Sequence, residues 1–437
     1  MAGLIGRASG HVQSAAIGGM SFAWNGAVYV VICPWSSRDK RHMRIAIAGA
    51  GVAGLAASAA LAWAGRDVTI FDQFDVPRPI GSGLVIQPVG QAVLATLGAL
   101  DQAAARGQFI TRLVGSEARG ERRVLDVQYD PGGRRGTQGL AIHRAALFDV
   151  LLQAARDAGA TLVPAHEVTG LSGDVRRRLR FADGRESTSF DLVIDASGAG
   201  SPLTPLRPRA LPYGAIWSTV PWPGDTALPA TQLTQRYVSA RHMLGVLPVG
   251  LVPGQAGSRA AIFWSLPRRD LAAWQAAPLE DWKAGAATVW PEFAPFLRTV
   301  TTHADMTPAF YSHGTLHRPA RPGLIHIGDA AHQASPQLGQ GANMALLDAH
   351  ALSIALRQVP DNLPAALAAC DRLRRRHLVI YQVLSRMLTP MYQSDSRALP
   401  LLRDHVLTPV SRLGFVQALL SRLVCGDLVS PIRGGGP

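Results

Sequence analysis

The sequence is poor in cysteine and lacks the common metal-binding and hydrolytic motifs. Cys33, Cys370 and Cys425 are its three cysteines, and they lie far apart in a chain of 437 residues. This spacing excludes a disulfide framework and a cysteine-based metal cluster, and it is typical of a reducing compartment. No HExxH, P-loop, GxSxG or Cys–His zinc pattern occurs. We therefore predict no metal site and a cytoplasmic location.

Lysine is nearly absent as well. Lys40 and Lys283 are the two lysines, so arginine supplies almost all of the 43 basic residues behind the net charge of +13. A GC-rich coding genome produces the same bias. The arginine runs 176–178 and 374–376 are short and lack interleaved aromatic residues, so we interpret them as solvated faces and expect no nucleic-acid partner. With 48% hydrophobic residues the chain is globular and long enough for two domains.

The first 42 residues differ from the rest of the chain. Residues 12–37 carry no formal charge and are followed by a basic stretch at 38–41, which is one pattern of a membrane anchor. However, several glycines and Asn25 weaken the apolar run, and strand-like sequence begins abruptly at Met43. We interpret residues 1–42 as an N-terminal extension, either a mis-assigned translation start or a loose tail, with an anchor as the alternative.

A glycine-rich turn follows the first strand-like segment. Gly49, Gly51 and Gly54 form a G-x-G-x-x-G pattern between this segment and an alanine-rich predicted helix. In such a unit the first glycine permits the tight turn, the second lets a pyrophosphate approach the backbone, and the third allows close packing of helix on strand. The N–H groups at the helix start, including those of Val52 and Ala53, would face the phosphates.

A second predicted strand, 67–71, is followed by Asp72. The carboxylate of Asp72 lies at the spacing at which such folds bind the ribose of an adenosine. It would repel a 2′-phosphate, so this site suits FAD or NAD and disfavours NADP. The alternative is a Rossmann-like unit that binds nothing.

A second motif lies far downstream. The chain reads Gly-Asp-Ala-Ala-His-Gln-Ala-Ser-Pro from Gly328 to Pro336 and Gly-Gln-Gly-Ala-Asn from Gly339 to Asn343. The two motifs together resemble the FAD-dependent aromatic hydroxylases of the para-hydroxybenzoate hydroxylase type, which include the ubiquinone-biosynthesis hydroxylases. The resemblance runs from about Met43 to the end of the second motif, with weaker cover beyond.

The resemblance implies roles for individual residues. It implies that Asp329 holds the ribityl chain of FAD, that Pro336 packs beside the isoalloxazine ring, and that Arg144 reaches the cofactor. Backbone N–H groups at the start of the following helix would face the pyrimidine edge of the flavin; the residues concerned are Gly339, Gly341, Ala342 and Asn343. Gly328 would form the turn before Asp329.

The resemblance also implies the fold class, which is α/β. A Rossmann-type FAD-binding domain is expected to be interleaved with a mixed β-sheet substrate domain, followed by a helical C terminus. We place the FAD-binding domain at 43–202 and 318–358, the substrate domain at 203–317, and the C-terminal helical region at 359–437. In the last segment, 399–423, we expect the leucines and valines to face inward and three arginines to face outward, namely Arg403, Arg412 and Arg422.

One departure from the family pattern concerns the reductant. Relatives carry an Asp-Gly pair after the strand that here reads Asp-Leu-Val-Ile, but this chain has Ser197-Gly198. FAD binding can survive the change, while the docking of NAD(P)H is put in doubt. No catalytic base emerges either. The eligible residues between 203 and the second motif are Tyr213, Tyr237, His242, Tyr311, His313 and His317, and each is more often a structural residue.

The predicted function is that of an FAD-dependent monooxygenase. It would use NADH or NADPH and O₂ to hydroxylate an aromatic or similarly electron-rich small molecule. The alternatives are another FAD-dependent oxidoreductase, such as a reductase, dehydrogenase or halogenase, and a non-catalytic FAD-binding protein. The halogenase is disfavoured because no WxWxIP run occurs. We expect any membrane contact to be peripheral, at the inner face of the membrane, and we assign no oligomeric state.

We predict that a chain beginning at Met43 folds and binds FAD like the full protein, because the strand signal starts at that residue. Flavin absorbance per chain and turnover should both match those of the full chain. Precipitation or flavin loss on truncation would instead show that residues 1–42 are a structural part of the protein or an anchor.

Overall fold

The computed structural model describes residues 43–76, 82–118 and 122–432, together with the backbone of three short strands before Met43. These three strands pair antiparallel, in the order β1-β2-β3. The remainder of the predicted N-terminal extension lies outside the described residues.

The strands are, in chain order, β1 Ser14–Ile17, β2 Met20–Ala23, β3 Val30–Ile32, β4 Arg44–Ala48, β5 Asp67–Phe71, β6 Gly83–Ile86, β7 Gln108–Ile110, β8 Arg112–Glu117, β9 Arg123–Gln128, β10 Gly139–His143, β11 Thr161–Val163, β12 Val168–Ser172, β13 Arg178–Phe181, β14 Leu192–Asp195, β15 Arg209–Pro221, β16 Gln232–Val238, β17 His242–Gly250, β18 Arg259–Pro267, β19 Thr307–Thr315, β20 Ala320–Arg321, β21 Leu324–His326 and β22 His332–Gln333. The helices are α1 Val52–Trp63, α2 Pro88–Thr96, α3 Leu100–Arg106, α4 Arg144–Asp157, α5 Leu271–Ala276, α6 Leu279–Val289, α7 Gly341–Gln358, α8 Leu363–Tyr392, α9 Ala398–Leu402, α10 Thr408–Ser411 and α11 Gly414–Cys425. A π-helical turn, Arg403–Leu407, joins α9 to α10.

A six-stranded sheet forms the first layer, in the order β11-β5-β4-β14-β21-β20. Five of these strands are parallel and β20 is antiparallel to β21. The central strand β4 is apolar from Ile45 to Ala48 and fully buried, as expected for a parallel strand covered on both faces. Helix α1 contacts α4 and α7, and its alanines let the helices approach closely. Both sequence motifs lie at the carboxyl edge of this sheet, where ligands bind in open α/β folds.

An eight-stranded sheet forms the second layer, in the order β22-β19-β15-β18-β17-β16-β8-β9. Six of its strands come from residues after 203, but β8 and β9 come from 112–128, before the predicted substrate domain. On β15 the side chains alternate between the two faces, as the pleat of a strand requires. Ile216 and Val220 pack with Trp290 and Phe293 in one apolar cluster.

The region 161–194 is divided between the two-stranded pair β12–β13 and the parallel sheet. The turn at 183–184 forms, but the segment after it makes only isolated bridges with β13. Its last residues, Leu192–Asp195, leave the hairpin and pair in parallel with β4 and β21. A central position between two buried strands removes more apolar surface from water than a hairpin edge does.

The C-terminal segment departs from the prediction at Arg403 and at most of its leucines and valines, while Arg412 and Arg422 are exposed as predicted. Arg403 is buried, and it donates hydrogen bonds to Asp404 and to the backbone oxygens of Ser239 and Met391. Its guanidinium also lies over the rings of two tyrosines, Tyr237 and Tyr392. Eight leucine, valine and phenylalanine side chains of the segment 398–422 are exposed instead. The expectation failed because a single guanidinium with enough acceptors can be buried, whereas periodicity alone treats every arginine as a surface residue.

In the part of the chain that the structure describes, no helix is both long enough and apolar enough to cross a bilayer.

Candidate functional site

The first glycine turn joins β4 to α1, and each glycine meets a different constraint. Gly49 has a φ of +99°, and a Cβ there would lie 2.7 Å from the backbone oxygen of Ala196. A Cβ on Gly54 would lie 2.0 Å from the backbone oxygen of Gly49. Gly51 has open space where its Cβ would be, and it caps α1 without a side-chain hydrogen bond. The first N–H groups of α1 therefore face a cleft, an arrangement that suits a phosphate group.

Asp72 lies beside this turn, as predicted, and it also supports the turn. Its Oδ2 accepts a hydrogen bond from Ala50 N at 2.8 Å, and its Oδ1 accepts one from Phe74 N at 3.1 Å. An ionised carboxylate has about four acceptor positions, so each oxygen can accept another hydrogen bond from a ribose hydroxyl. The residue is half-buried at the edge of the cleft.

Asp329 lies close to the start of α1, since a Cβ on the preceding residue, Gly328, would lie 3.0 Å from Ala53 Cβ. The residue is accessible to solvent, yet the protein atoms around its carboxyl raise the pKa of Asp329 by desolvation, although His332 and Arg144 act in the opposite direction. Among the described residues no donor hydrogen-bonds to this carboxylate. A carboxylate held in a recess without a donor fits a ligand that brings hydroxyl groups, such as a ribityl chain.

Asp348, which the sequence analysis did not identify, holds the second motif in place. Its Oδ2 accepts a hydrogen bond from Gly328 N at 3.0 Å and lies 2.6 Å from His332 Nε2. Its Oδ1 accepts one from Arg374 Nε of α8 at 2.9 Å. These partners keep the pKa of the buried Asp348 carboxyl well below its usual range despite desolvation. An acidic residue within the apolar stretch of α7 was the available sequence signal.

The start of α7 is fixed by Asn343. Its Oδ1 accepts a hydrogen bond from Gln87 N at 2.8 Å, and its Nδ2 donates to the backbone oxygens of Val85 and Gly339. The Asn343 side chain is fully buried and its amide is occupied by the protein. Gly339 has a φ of +60°, and Gly341 and Ala342 remain accessible at the helix start. Any contact of this segment with a cofactor would therefore involve the backbone N–H groups.

Arg144 begins α4 beside the second sheet. His143 caps the helix, since its Nδ1 accepts a hydrogen bond from Ala145 N at 3.1 Å. Burial lowers the pKa of His143, so the neutral ring carries its proton on Nε2 and donates it to Thr219 Oγ1 at 3.2 Å. Thr219 also lies 2.9 Å from Ser82 Oγ. This cluster fixes the Arg144 position against β15.

Ser197, the serine that departs from the family pattern, follows β14 and lies against the glycine turn, since a Cβ on Gly49 would lie 2.9 Å from Ser197 Cα. Ser197 Oγ donates to the backbone oxygen of Ala48 at 3.2 Å, and Ser197 N donates to Asp195 Oδ1. The buried Asp195 also accepts from Ser201 Oγ and lies 2.7 Å from His326 Nδ1. The Ser197 side chain thus ties two loops of the parallel sheet together.

A cavity of about 630 Å³ lies where the two layers meet. Arg144 and Pro336 line it on the side of the sequence motifs, and Trp217, Thr219 and Tyr311 line it on the side of the sheet. Arg259 and Asp305 also contribute to the lining. The volume lies within the range of about 300–1,000 Å³ that is typical of small-molecule sites.

Of the six residues considered as candidates for catalysis, Tyr311 lines this cavity. Trp217 Nε1 donates a hydrogen bond to Tyr311 Oη at 3.0 Å. The other five do not line the cavity. Tyr213 donates a hydrogen bond to Asp395, and Tyr237 donates one to Gln235. The His242 ring lies 3.2 Å from the backbone oxygen of Ser265, His313 is buried near Ser385, and His317 is exposed.

Comparison with known proteins identifies the family. The sequence model of a family described as FAD binding domain matches residues 42–361, most of the chain. The chain belongs to this family. It is an FAD-dependent monooxygenase, an oxidoreductase that uses NADH or NADPH as co-substrate. The predicted fold class and family resemblance are thereby confirmed.

Two curated relatives are monooxygenases by name. The chain is 28% identical over 417 residues to 6-methylpretetramide 4-monooxygenase of Streptomyces rimosus, covering 92% of this chain and 96% of the relative. It is 28% identical over 364 residues to 3-amino-4-hydroxybenzoate 2-monooxygenase of Streptomyces cremeus, covering 76% and 84%. Among solved structures, Klebsiella pneumoniae HpxO complexed with FAD and uric acid has a TM-score of 0.73 at 23% identity, covering 90% of this chain and 99% of that one.

Substitution by asparagine should lower the stability of the apoprotein at Asp348 and the affinity for FAD at Asp329. Asp348→Asn leaves buried Arg374 without its charge partner, so we expect the free energy of unfolding of the apoprotein to fall by about 3–5 kcal/mol. Asp329→Asn removes a carboxylate that has no hydrogen-bond donor among the described residues and whose pKa is raised by burial, so its charge does not stabilise the apoprotein. The apoprotein should therefore melt at the same temperature or higher. FAD affinity should fall about ten- to a hundredfold, the equivalent of about 1.5–3 kcal/mol of charge-assisted hydrogen bonding.

Melting curves of the two apoproteins and FAD titrations of each test this contrast. The depressed pKa of Asp348 means that its contribution is complete at neutral pH and is lost as the pH falls through the folded-state value. An Asp329→Asn protein that melts lower and binds FAD normally would assign Asp329 to the fold.

Proposed function

We propose that the protein hydroxylates a phenolic, fused-ring aromatic molecule in the cavity between its two layers. One observation carries the proposal: a single cavity is lined by Arg144 and Pro336 from the FAD side and by Trp217, Thr219 and Tyr311 from the sheet. A substrate there would lie between the cofactor ring and an aromatic wall. The fused-ring class is favoured because the relative that matches nearly the full chain is named for 6-methylpretetramide.

The proposed position of FAD follows from the two motifs. Its pyrophosphate would lie at the start of α1, at Gly51, Val52 and Ala53, and its ribityl chain at Asp329. The ring would lie beside Pro336, where the start of α7 carries the partial positive charge of a helix N terminus and stabilises negative charge on the ring. When bound, FAD supplies the electron transfer and oxygen chemistry.

Tyr311 is proposed to orient the substrate. Its oxygen already accepts a hydrogen bond from Trp217, so its own proton is free to point into the cavity. Burial raises the pKa of Tyr311 to about 12, so the side chain stays protonated at neutral pH. Tyr311 is therefore a donor to a phenolic or carbonyl oxygen and cannot act as a base.

The charges around the cavity favour an ionised phenol. Arg144 and Arg259 line it, and Arg259 Nε is buried without a hydrogen-bond partner. The lining carboxylate, Asp305, accepts hydrogen bonds from the backbone N–H groups of Thr301 and Thr302, and these bonds lower its pKa. A phenolate is more electron-rich than a phenol and is the better acceptor of an oxygen atom. These groups support a substrate that enters as, or becomes, a phenolate.

We also propose a cytoplasmic location, supported by the three dispersed cysteines. Any membrane contact would be peripheral and would bring an apolar substrate close to the protein. No nucleic-acid partner is proposed.

The function is tested by NAD(P)H-dependent uptake of isotopically labelled O₂ by the purified holoenzyme, using single-ring and fused-ring phenols. We expect substrate-stimulated NAD(P)H oxidation and a product that gains one labelled oxygen atom, with fused-ring phenols preferred. Hydrogen peroxide as the sole product from every phenol, or preference for single rings, would contradict the substrate assignment.

Gly51→Asp should yield a folded apoprotein. The fold has open space at this position, but the new carboxylate would enter the region proposed for the pyrophosphate. Gly51→Ala is the matched control and should retain FAD, whereas Gly54→Ala should impair folding because its Cβ meets the Gly49 oxygen. Flavin absorbance per chain and circular dichroism distinguish these cases; full flavin content in Gly51→Asp would show that the pyrophosphate lies elsewhere.

Tyr311→Phe should keep FAD and lower the rate of product formation about ten- to a hundredfold, as expected for one hydrogen bond to a charged oxygen. The fraction of NAD(P)H consumed that gives product should fall with it. Tyr213→Phe is the control, because Tyr213 donates to Asp395 rather than lining the cavity. Equal coupling in both variants would remove Tyr311 from the substrate site.

A further inference from the structure

The outward side of the C-terminal helices is apolar. Between Ala398 and Arg422, eight large hydrophobic side chains are between 38% and 74% exposed. We call this set the C-terminal apolar face; it consists of Leu401, Leu402, Val406, Leu407, Val410, Leu413, Phe415 and Leu419. Single exposed leucines are ordinary on a protein surface, but a series from one segment marks an interaction site.

The inward side of the same segment is already occupied. Arg403 lies against the rings of Tyr237 and Tyr392. Thr408 Oγ1 donates to the backbone oxygen of Val124, and Ser421 Oγ donates to the backbone oxygen of Tyr129. Leu423 packs in a cluster with Tyr381 of α8. The helices therefore cannot rotate to bury the apolar face within the chain without breaking these contacts. Exposed apolar side chains in this number are therefore covered only by a partner outside the chain.

The exposed charged side chains of this face are cationic. Its exposed polar side chains include His405, Arg412 and Arg422. The sequence 398–426 contains one acidic residue, Asp404, which is buried and paired with Arg403 and with Arg122. A partner for this face must therefore accept apolar side chains and bring negative charge.

The segment Leu413-Gly414-Phe415, at the start of α11, is the most exposed part of this face. All three residues are exposed, and Phe415 is 74% exposed. Arg412 directly precedes the segment, and Arg422 lies two turns further along the outer side of α11. Exposed apolar side chains at the start of α11 thus have arginines on either side in the sequence, a combination that is typical of helices bound at a membrane surface.

We propose that the C-terminal apolar face binds the surface of an anionic lipid bilayer. Leu413 and Phe415 enter the boundary between headgroups and acyl chains, and Arg412 and Arg422 contact lipid phosphates. A second copy of the chain is the less suitable occupant, because a two-fold interface would place this cationic face against itself, and the segment 398–426 has no exposed carboxylate to offset the repulsion. The proposal rests on the peripheral contact proposed above and assigns it a surface; it does not depend on the substrate.

Vesicle flotation of the full-length holoenzyme without substrate tests the proposal. The vesicles contain phosphatidylcholine alone or with phosphatidylglycerol. We expect flotation with the anionic vesicles and at least tenfold weaker binding to the neutral ones. The double variant Leu413→Ser/Phe415→Ser should lose binding at every salt concentration. Arg412→Gln/Arg422→Gln should bind at least tenfold more weakly at low salt and show less salt dependence.

Val175→Ser is the matched control, since Val175 is an exposed apolar residue of the loop between β12 and β13. It should float like the unmodified protein, and all variants should retain FAD and melting temperature. Light scattering of the same samples measures whether the protein forms a dimer, which is the competing explanation of the apolar face. Absence of flotation, or a dimer that Leu413→Ser/Phe415→Ser dissociates without any vesicle binding, would overturn the proposal. Because no turnover is measured, failure here is distinct from failure of the hydroxylase assignment.

Discussion

The buried carboxylate of Asp348 connects the parts of the site that are far apart in the sequence. It accepts hydrogen bonds from the Gly328 backbone and from Arg374, and it lies against His332. Arg374 in turn contacts His377 and the backbone oxygen of Pro431, so the second motif, α7, α8 and the end of the chain meet at one ion pair. Burial of two charges is favourable only when each is fully paired, which makes this network sensitive to the loss of any member.

The ligand-facing groups have the opposite character. The Asp329 carboxyl lies close to the start of α1 with a raised pKa, and the N–H groups at the start of α1 face the cleft without a side-chain cap. Such groups cost stability in the apoprotein and become favourable when a ligand satisfies them. The Asp348 network and the Asn343 amide offset that cost by fixing the backbone on either side, so the cleft keeps its shape before a cofactor enters.

Several of these features were accessible from the sequence because they depend on local geometry. The glycine turn, the position of Asp72 and the order Gly328-Asp329 to Asn343 follow from short spacings that few backbones satisfy. Asn343 shows what short spacings do not determine. In the sequence it is compatible with a cofactor contact and with a structural role, and only its hydrogen-bond partners, Gln87 and Val85, distinguish the two.

The sequence by itself indicated a dinucleotide site, because motif spacing constrains the backbone that a dinucleotide requires, and its resemblance to the hydroxylase family implied the α/β class, FAD and the monooxygenase chemistry. Tertiary structure decided which side chains share a space. Tyr311 was one of six equivalent candidates until the fold of β15 and β19 placed it against Trp217 in the cavity. The outward position of Leu413 and Phe415 likewise depends on tertiary contacts, such as those of Arg403 with two tyrosine rings on the inward side of the segment. Periodicity records where apolar residues recur, but which side of a helix is buried depends on partners that are distant in the sequence.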